Sequence, residues 1–396
     1  MKITFLTVMP SPYVQDLFCA LAADHRIDLT VWYLEQVAPD TYWGEQTMPD
    51  YAKVLPGRWY GFSGARVHWN PGISQLIKDC DADLFVIVGY IGLTNQVAMR
   101  TLNRLGLPWV FWGEVPGLHK RNWLGRQVRS LLQRPLCKTS GIAGVGSLAV
   151  TAYRNIVTPA NPDCVIRNIP YHCRLDEFQQ AGQLRHHGPM VRFLYCGQLI
   201  HRKGVDLLCS AFCKLLKSGT NATLTLAGAG PLETSLAQMI PEDFRDRIQF
   251  LGFQPVDTLP KIFGNADVFV LPSRHDGWGV VVNQAVAAGM PVIATNEVGA
   301  AVDLVKGQGT GWVIPADDEG RLLDALREAI ADPDRLLEMS RKAIETSERI
   351  TLRQAATDWT EFFAAAIGDS GRPHWPVAER HLDGSNRGMS GMAITE

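Results

Sequence analysis

Apolar residues fall in short unbroken runs along most of this chain, separated by longer stretches in which apolar positions recur three and four residues apart. In the first half the runs are Ile3 to Val8, Leu29 to Tyr33, Leu84 to Val88, Trp109 to Trp112 and Ile142 to Val145. A run that is apolar on both faces suits a strand inside a parallel sheet, because helices cover each side of it. Helical spacing lies between the runs, at Val14 to Ala23, Leu93 to Leu105, Trp123 to Leu132 and Leu148 to Ile156. After a polar stretch, Gln179 to Pro189, the alternation resumes with strands at Val191 to Cys196, Thr223 to Ala227, Ile248 to Leu251, Val268 to Leu271 and Pro291 to Ala294. Strands alternating with helices in this way specify βαβ units.

The pattern predicts two α/β domains, each a doubly wound parallel sheet: residues 1–172, a linker over 173–189, and residues 190–350. A last helix over 351–368 follows. Residues 369–396, rich in Gly, Ser, Pro, Arg and His without a period, read as a disordered tail. Two such domains leave a cleft facing the carboxyl ends of both sheets, which is where doubly wound sheets bind ligands.

Composition narrows the class without changing the architecture. The 396 residues are 46% hydrophobic and 20% charged, which excludes a mainly disordered, collagen-like or coiled-coil chain. Lys and Arg number 38 against 40 Asp and Glu, a net charge of −2, so nothing global calls for a nucleic-acid partner. The eight cysteines are scattered, with no C-x-x-C pair and no His/Cys cluster at metal-ligand spacing. They read as reduced thiols of a cytoplasmic protein with no metal. The first residues read as a strand cut off by prolines and not as a signal peptide, and no apolar run is long enough to span a bilayer, so any membrane contact is peripheral.

Candidate chemistry concentrates in the second domain. In the segment Leu271 to Ala294 a strand ends, a loop carrying Gly277, Trp278 and Gly279 follows, and a helix begins at Val280 and ends near Gly289. Glycines there let backbone approach a ligand, and the free amides of the first helical turn favour an anion. Gly197 to Gly204 likewise follows a strand and precedes a helix, and it carries Arg202 and Lys203, which would neutralise a diphosphate without a metal. Gly228-Ala-Gly-Pro231 marks a third such turn.

These residues resemble the retaining GT-B glycosyltransferases, the nucleotide-sugar-dependent group often called family four. That family shows an acid, Gly-aromatic-Gly, a second acid eight positions after the first, then a small-residue helix ending Gly-x-Pro-Val; here Asp276, Gly277, Trp278, Gly279, Gln284, Gly289, Pro291 and Val292 stand at those places. The organisation is similar over roughly residues 1 to 367, and the specific motifs lie between Gly197 and Gly299. The resemblance implies two Rossmann-like domains and transfer of a hexose from a nucleotide-diphosphate donor to an acceptor hydroxyl, with retention. It implies Arg202 and Lys203 on the diphosphate, Asp276 on sugar hydroxyls, Gln284 on the ribose, and Gly197, Gly277, Trp278, Gly279 and Val280 lining the donor. Two departures stand out: Asp276 is one methylene shorter than the usual glutamate, and Gln284 is neutral, which removes a charge-assisted bond worth on the order of 1 kcal/mol. Gln198 also stands where many members carry arginine. The alternatives are a nucleotide-sugar epimerase of the same fold or a non-catalytic sugar-nucleotide-binding scaffold.

In the first domain Glu114, in Trp112-Gly-Glu-Val-Pro116, emerges where a strand meets the cleft and is the candidate sugar- or acceptor-binding carboxylate, with His119 as a displaced counterpart of the family's histidine. Asp81-Ala-Asp83 spells a metal-binding D-x-D but precedes its strand, so it reads as solvated turn residues. Pro39 to Trp69 reads as an irregular, aromatic-rich loop. Between Val115 and Arg154 there is no acid, and seven Lys or Arg are interleaved with Trp123, Leu124, Val128, Leu131, Leu132 and Leu136. The part from Lys120 to Arg134 reads as a basic amphipathic helix. The region 119–138 is thus expected to lie on an anionic membrane surface, with a lipid-linked acceptor of bacterial surface-polysaccharide assembly.

Overall fold

Val268 to Leu271 is buried at every position, as a central parallel strand must be, and so are Trp109 to Trp112 and Ile142 to Val145. The computed structural model describes residues 1–37, 47–62, 65–116, 123–186 and 188–368. Its first part contains β1 (Lys2–Thr7), β2 (Asp28–Tyr33), β3 (Ala52–Val54), an antiparallel pair β4 (Arg58–Phe62) and β5 (Ala65–Trp69), then β6 (Leu84–Val88), β7 (Trp109–Gly113), β8 (Gly141–Gly144) and β9 (Val165–Asn168). The parallel strands lie in the order β3-β2-β1-β6-β7-β8-β9. The helices of this part are α1 (Pro12–Ala22), α2 (Ile73–Asp79), α3 (Leu93–Leu105), α4 (Trp123–Gln133) and α5 (Ser147–Val157).

A helix α6 (Asp176–Gln183) leads into the second sheet, β10 (Val191–Cys196), β11 (Ala222–Ala227), β12 (Ile248–Gly252), β13 (Val268–Leu271), β14 (Val292–Thr295) and β15 (Gly311–Ile314). Its order is β12-β11-β10-β13-β14-β15. Around it lie α7 (Val205–Lys217), α8 (Glu233–Met239), α9 (Leu259–Gly264), α10 (Val280–Ala287), α11 (Gly299–Leu304), α12 (Glu319–Ala331) and α13 (Pro333–Ser347), and α14 (Leu352–Ile367) closes the described chain. Each sheet reverses its winding once, between β1 and β6 and between β10 and β13, so ligand crevices are expected outside the carboxyl ends of those strands.

Three elements differ from the sequence expectation. The linker is not featureless: α6 packs on α9 and α10, and just after it Arg185 donates to the carbonyls of Ala288 (2.6 Å) and Gly289 (3.1 Å), capping the end of α10. The described part of Pro39 to Trp69 is not irregular but holds β3 and the β4–β5 hairpin, whose base is clamped where Asn70 Nδ2 donates to Leu55 O (3.2 Å) and Pro56 O (3.3 Å). The last helix, α14, returns to the first sheet: Trp359 meets Phe5 (ring centroids 5.5 Å apart) and Trp112 (5.2 Å), and Phe363 meets Phe5 (6.2 Å). The tail 369–396, His119, Lys120 and Arg121 lie outside the described residues.

Candidate active site

The loops after β10 and β13 sit side by side at the winding reversal of the second sheet, and they bring the predicted charges together. Lys203 Nζ donates to Asp276 Oδ2, both side chains being largely buried, and Arg202 Nη1 lies 3.6 Å from Asp276 Oδ1. Arg202 also donates to His275 O (2.9 Å). Backbone holds the acid in place, since Asp276 N donates to Glu297 O at 2.9 Å. Arg274, which the sequence did not single out, braces both loops: it forms two bonds of 2.8 Å to Asp206 and donates to His201 O at 2.5 Å. The turn at Gly204 admits only glycine, because its φ is +67° and a Cβ there would stand 2.0 Å from Pro272 O.

Glu114 approaches the cluster from the end of β7. A Cβ on Gly277 would stand 1.8 Å from Glu114 Oε2, so the carboxylate occupies the space left by the missing side chain. Solvent still reaches Glu114 along the cleft. Enclosure by protein from both sides raises its pKa above the ordinary glutamate value, and the Asp276 charge adds to this, while a hydrogen bond from Tyr171 and the charges of Arg202 and Lys203 work the other way. The four proposed chemical residues therefore share one electrostatic environment across the cleft.

The donor candidates divide. Gly197, Gly277 and Gly279 line the loops at this opening, and Val280 begins α10 behind Gly279, where no side chain caps the helix among the described residues. Gln284 is buried in the second turn of α10, and its Oε1 has no hydrogen-bond partner among the described residues. An unpaired buried acceptor costs about 1–3 kcal/mol, which a ligand hydroxyl would relieve. The Trp278 ring is fully buried, with Nε1 bonded to Asn283 Oδ1 (3.0 Å), and fills the space beside Gly146 of the first domain. Asn283 in turn donates to Tyr171 O (2.7 Å), so the Gly-Trp-Gly turn is tied to the segment after β9 that carries Glu114's partner Tyr171.

Sequence reasoning also missed a second seam. Asp303 of α11 accepts from Ser147 N (3.0 Å), from the Ser147 hydroxyl and from Asn168 Nδ2 (2.8 Å), so a carboxylate of the second domain caps the first turn of α5 in the first. The available signal was Gly146-Ser147 at a strand-to-helix turn. Asp81 and Asp83 behave as turn residues at the amino end of the first sheet, paired with Lys2 Nζ (2.6 Å) and Lys2 N (2.7 Å). No helix among the described residues is long and apolar enough to cross a membrane.

Residues 177–348 match the family described as glycosyl transferases group 1. The chain is 34% identical over 150 residues to a GDP-mannose-dependent alpha-(1-6)-phosphatidylinositol monomannoside mannosyltransferase of Mycobacterium tuberculosis, covering 36% of this chain and 39% of that one. It is 33% identical over 178 residues to the lipopolysaccharide core biosynthesis mannosyltransferase LpsB of Rhizobium meliloti, covering 42% of this chain and 50% of that one. The match thus spans half or less of these curated relatives. Among solved structures, Anabaena HepE in complex with UDP aligns over 92% of this chain and 99% of its own with a TM-score of 0.67 and 16% identity, a likeness of fold. Residues 177–348 thus carry a domain similar to the group 1 glycosyltransferases, and the paired parallel sheets with the cleft between them have the GT-B architecture.

Proposed function

We propose that the chain transfers a hexose from a nucleotide-diphosphate sugar to a hydroxyl of a lipid-linked saccharide, with retention, in the building of a bacterial surface polysaccharide. The observation that carries the reading is the meeting of Arg202, Lys203 and Asp276 with Glu114 across the cleft, at the carboxyl ends of both sheets. Asp276 holds Lys203 at the opening. A diphosphate entering beside the uncapped amides of α10 draws Arg202 and Lys203 onto its oxygens, and Asp276 is freed to accept from sugar hydroxyls. The two cations then stabilise the charge that develops on the leaving diphosphate as the anomeric bond lengthens, the role of preorganised charge in a transition state. In this reading no resident metal is needed for that charge. Glu114, on the opposite wall, accepts from the transferred sugar or the acceptor. Gln284 Oε1 takes a ribose hydroxyl.

The printed descriptions of relatives are in keeping with this: the mycobacterial enzyme is named for GDP-mannose and a phosphatidylinositol acceptor, and HepE holds UDP. The acceptor's lipid places the protein at the cytoplasmic face of a membrane, held peripherally by the 119–138 region. The test is a panel of nucleotide diphosphates and their sugars scanned by thermal unfolding. One nucleotide is expected to raise stability by about 2.7 kcal/mol at a hundred times its dissociation constant. A flat response across uridine, guanosine, adenosine and thymidine diphosphates and their sugars defeats the reading.

A further inference from the structure

Helix α4 is mounted inside out. Gln133 is buried and donates to the Tyr90 hydroxyl (3.2 Å), and Arg129 Nη1 donates to Pro116 O (3.4 Å), so polar groups face the body. Leu124, Val128 and Leu131, spaced four and three apart on one stripe, face outward, Leu124 being 61% exposed and Trp123 at the helix start 67%. A helix docked on a protein in water turns such a stripe inward. Two further apolar groups are exposed nearby. The β4–β5 hairpin presents Trp59, Tyr60 (57% exposed) and Trp69, and the turn into α3 presents Ile91 (61%) and Leu93.

These groups are neighbours. Thr94 Oγ1, one residue after Leu93, donates to His68 O (2.9 Å) and receives Asn70 N (3.0 Å) at the hairpin's foot. Two residues on, Gln96 Nε2 donates to Leu132 O of α4 (2.8 Å). The first turn of α3 therefore ties hairpin and helix together, with Ile91 and Leu93 between them.

Charge selects the occupant of this surface. From Tyr51 to Arg154 the sequence has thirteen Lys or Arg and four acids, Asp79, Asp81, Asp83 and Glu114, in a chain whose net charge is −2. Three of those acids sit at or before the amino end of β6, away from the turns that carry the apolar groups, and Glu114 faces Gly277 in the cleft. An apolar, Trp- and Tyr-bearing surface set in excess positive charge complements an anionic lipid interface and repels a second copy of itself. We propose that the β4–β5 hairpin and the Ile91–Leu93 turn form, with α4, one continuous surface that seats on an anionic bilayer at two feet, helix and hairpin. This rests on the peripheral-membrane reading above and adds a second contact, which fixes orientation where a single helix leaves the protein free to rotate about its foot.

The test is co-sedimentation of the full chain with vesicles of phosphatidylcholine alone and of phosphatidylcholine with one quarter phosphatidylglycerol. Three variants are compared with wild type: Trp59→Ser/Tyr60→Ser in the hairpin, Ile91→Ser/Leu93→Ser in the turn, and Leu124→Gln/Val128→Gln/Leu131→Gln in the helix. Each set is expected to lower partition into the anionic vesicles tenfold or more, and brominated lipid is expected to quench wild type more than Trp59→Phe. Should the hairpin double variant unfold, Tyr60→Ser with the Trp59→Phe quenching comparison carries the same test. Normal binding of the hairpin and turn variants beside loss in the helix variant overturns the second foot and leaves the peripheral reading standing. No binding by wild type to either vesicle overturns both. A wild-type dimer in light scattering that the hairpin variant converts to a monomer, without vesicle binding, assigns the surface to a second copy and overturns the proposal.

Discussion

At the scale of single residues, Lys203 carries the clearest expectation. Its ammonium lies on Asp276 with Arg202 close by, so Lys203→Ala leaves Asp276 with the more distant of its two cations and removes one preorganised charge from the leaving group. Turnover is expected to fall about a hundredfold or more with the thermal midpoint little changed, the scale of losing one such group. Unaltered turnover by the purified variant on its identified donor refutes the phosphate role. Gln284 is the second expectation. Its buried, unpartnered Oε1 marks an acceptor that the protein itself does not satisfy, so Gln284→Ala should weaken donor-nucleotide binding by about 1–3 kcal/mol, whereas Gln284→Glu should match or exceed wild type. Calorimetry giving Gln284→Ala the wild-type affinity removes the ribose contact. Both residues were legible in the sequence because each occupies a fixed step in a strand, loop and helix. What was not legible is direction. Trp278 sits between two glycines of a ligand loop, yet its bulk is absorbed by the space beside Gly146 in a different domain, a neighbour no local pattern names.

At the scale of elements, burial pattern decided success. Strands apolar on both faces announced themselves, and the expected β6, β10 and β13 coincide with the observed ones. The edge strands β3 and β9 escaped because their exposed positions break the apolar run, β9 being Val-Ile-Arg-Asn with no fully buried residue, and β15 escaped because its apolar run, Trp312 to Ile314, is only three residues long. The hairpin escaped because it lies within an aromatic-rich stretch that no clear period organises. Helix α5 supplies a prediction that belongs here. Its N-cap is Gly146, which offers no side chain, and Asp303 from α11 performs the capping instead. Removing a capping oxygen costs about 1 kcal/mol, and here it also severs a tie between domains. Asp303→Ala is expected to lower stability by about 1–2 kcal/mol, and Ser147→Ala to add little once Asp303 is gone. A double-mutant cycle by urea unfolding checks this, and strictly additive losses mean that the two groups do not act on one another.

At the scale of the whole molecule, the chain passes between its two sheets twice, outward after β9 and back into α14, and the passages meet at His172. Its imidazole is buried and lies 3.8 Å from Asp358 on α14. Burial drives the His172 pKa down to about 4, and burial also raises that of Asp358. Both partners are pushed toward their neutral forms, so the contact is not an ion pair to be counted for stability. The sign follows from linkage. The unfolded chain binds a proton at this imidazole below about pH 6.5, where the native chain binds none until about pH 4, so stability is lost as pH falls through that window. The loss is on the order of 3 kcal/mol if His172 acts alone. Denaturation followed from pH 7 to pH 4.5 should show wild type losing more stability than His172→Gln, with the curves drawing together toward the acid end. Parallel curves would mean that burial does not lower the imidazole's proton affinity, whereas a wild type that loses less stability than His172→Gln would mean that Asp358 takes up the imidazolium as a true ion pair, and the junction of the two crossings would then tighten in acid instead of loosening.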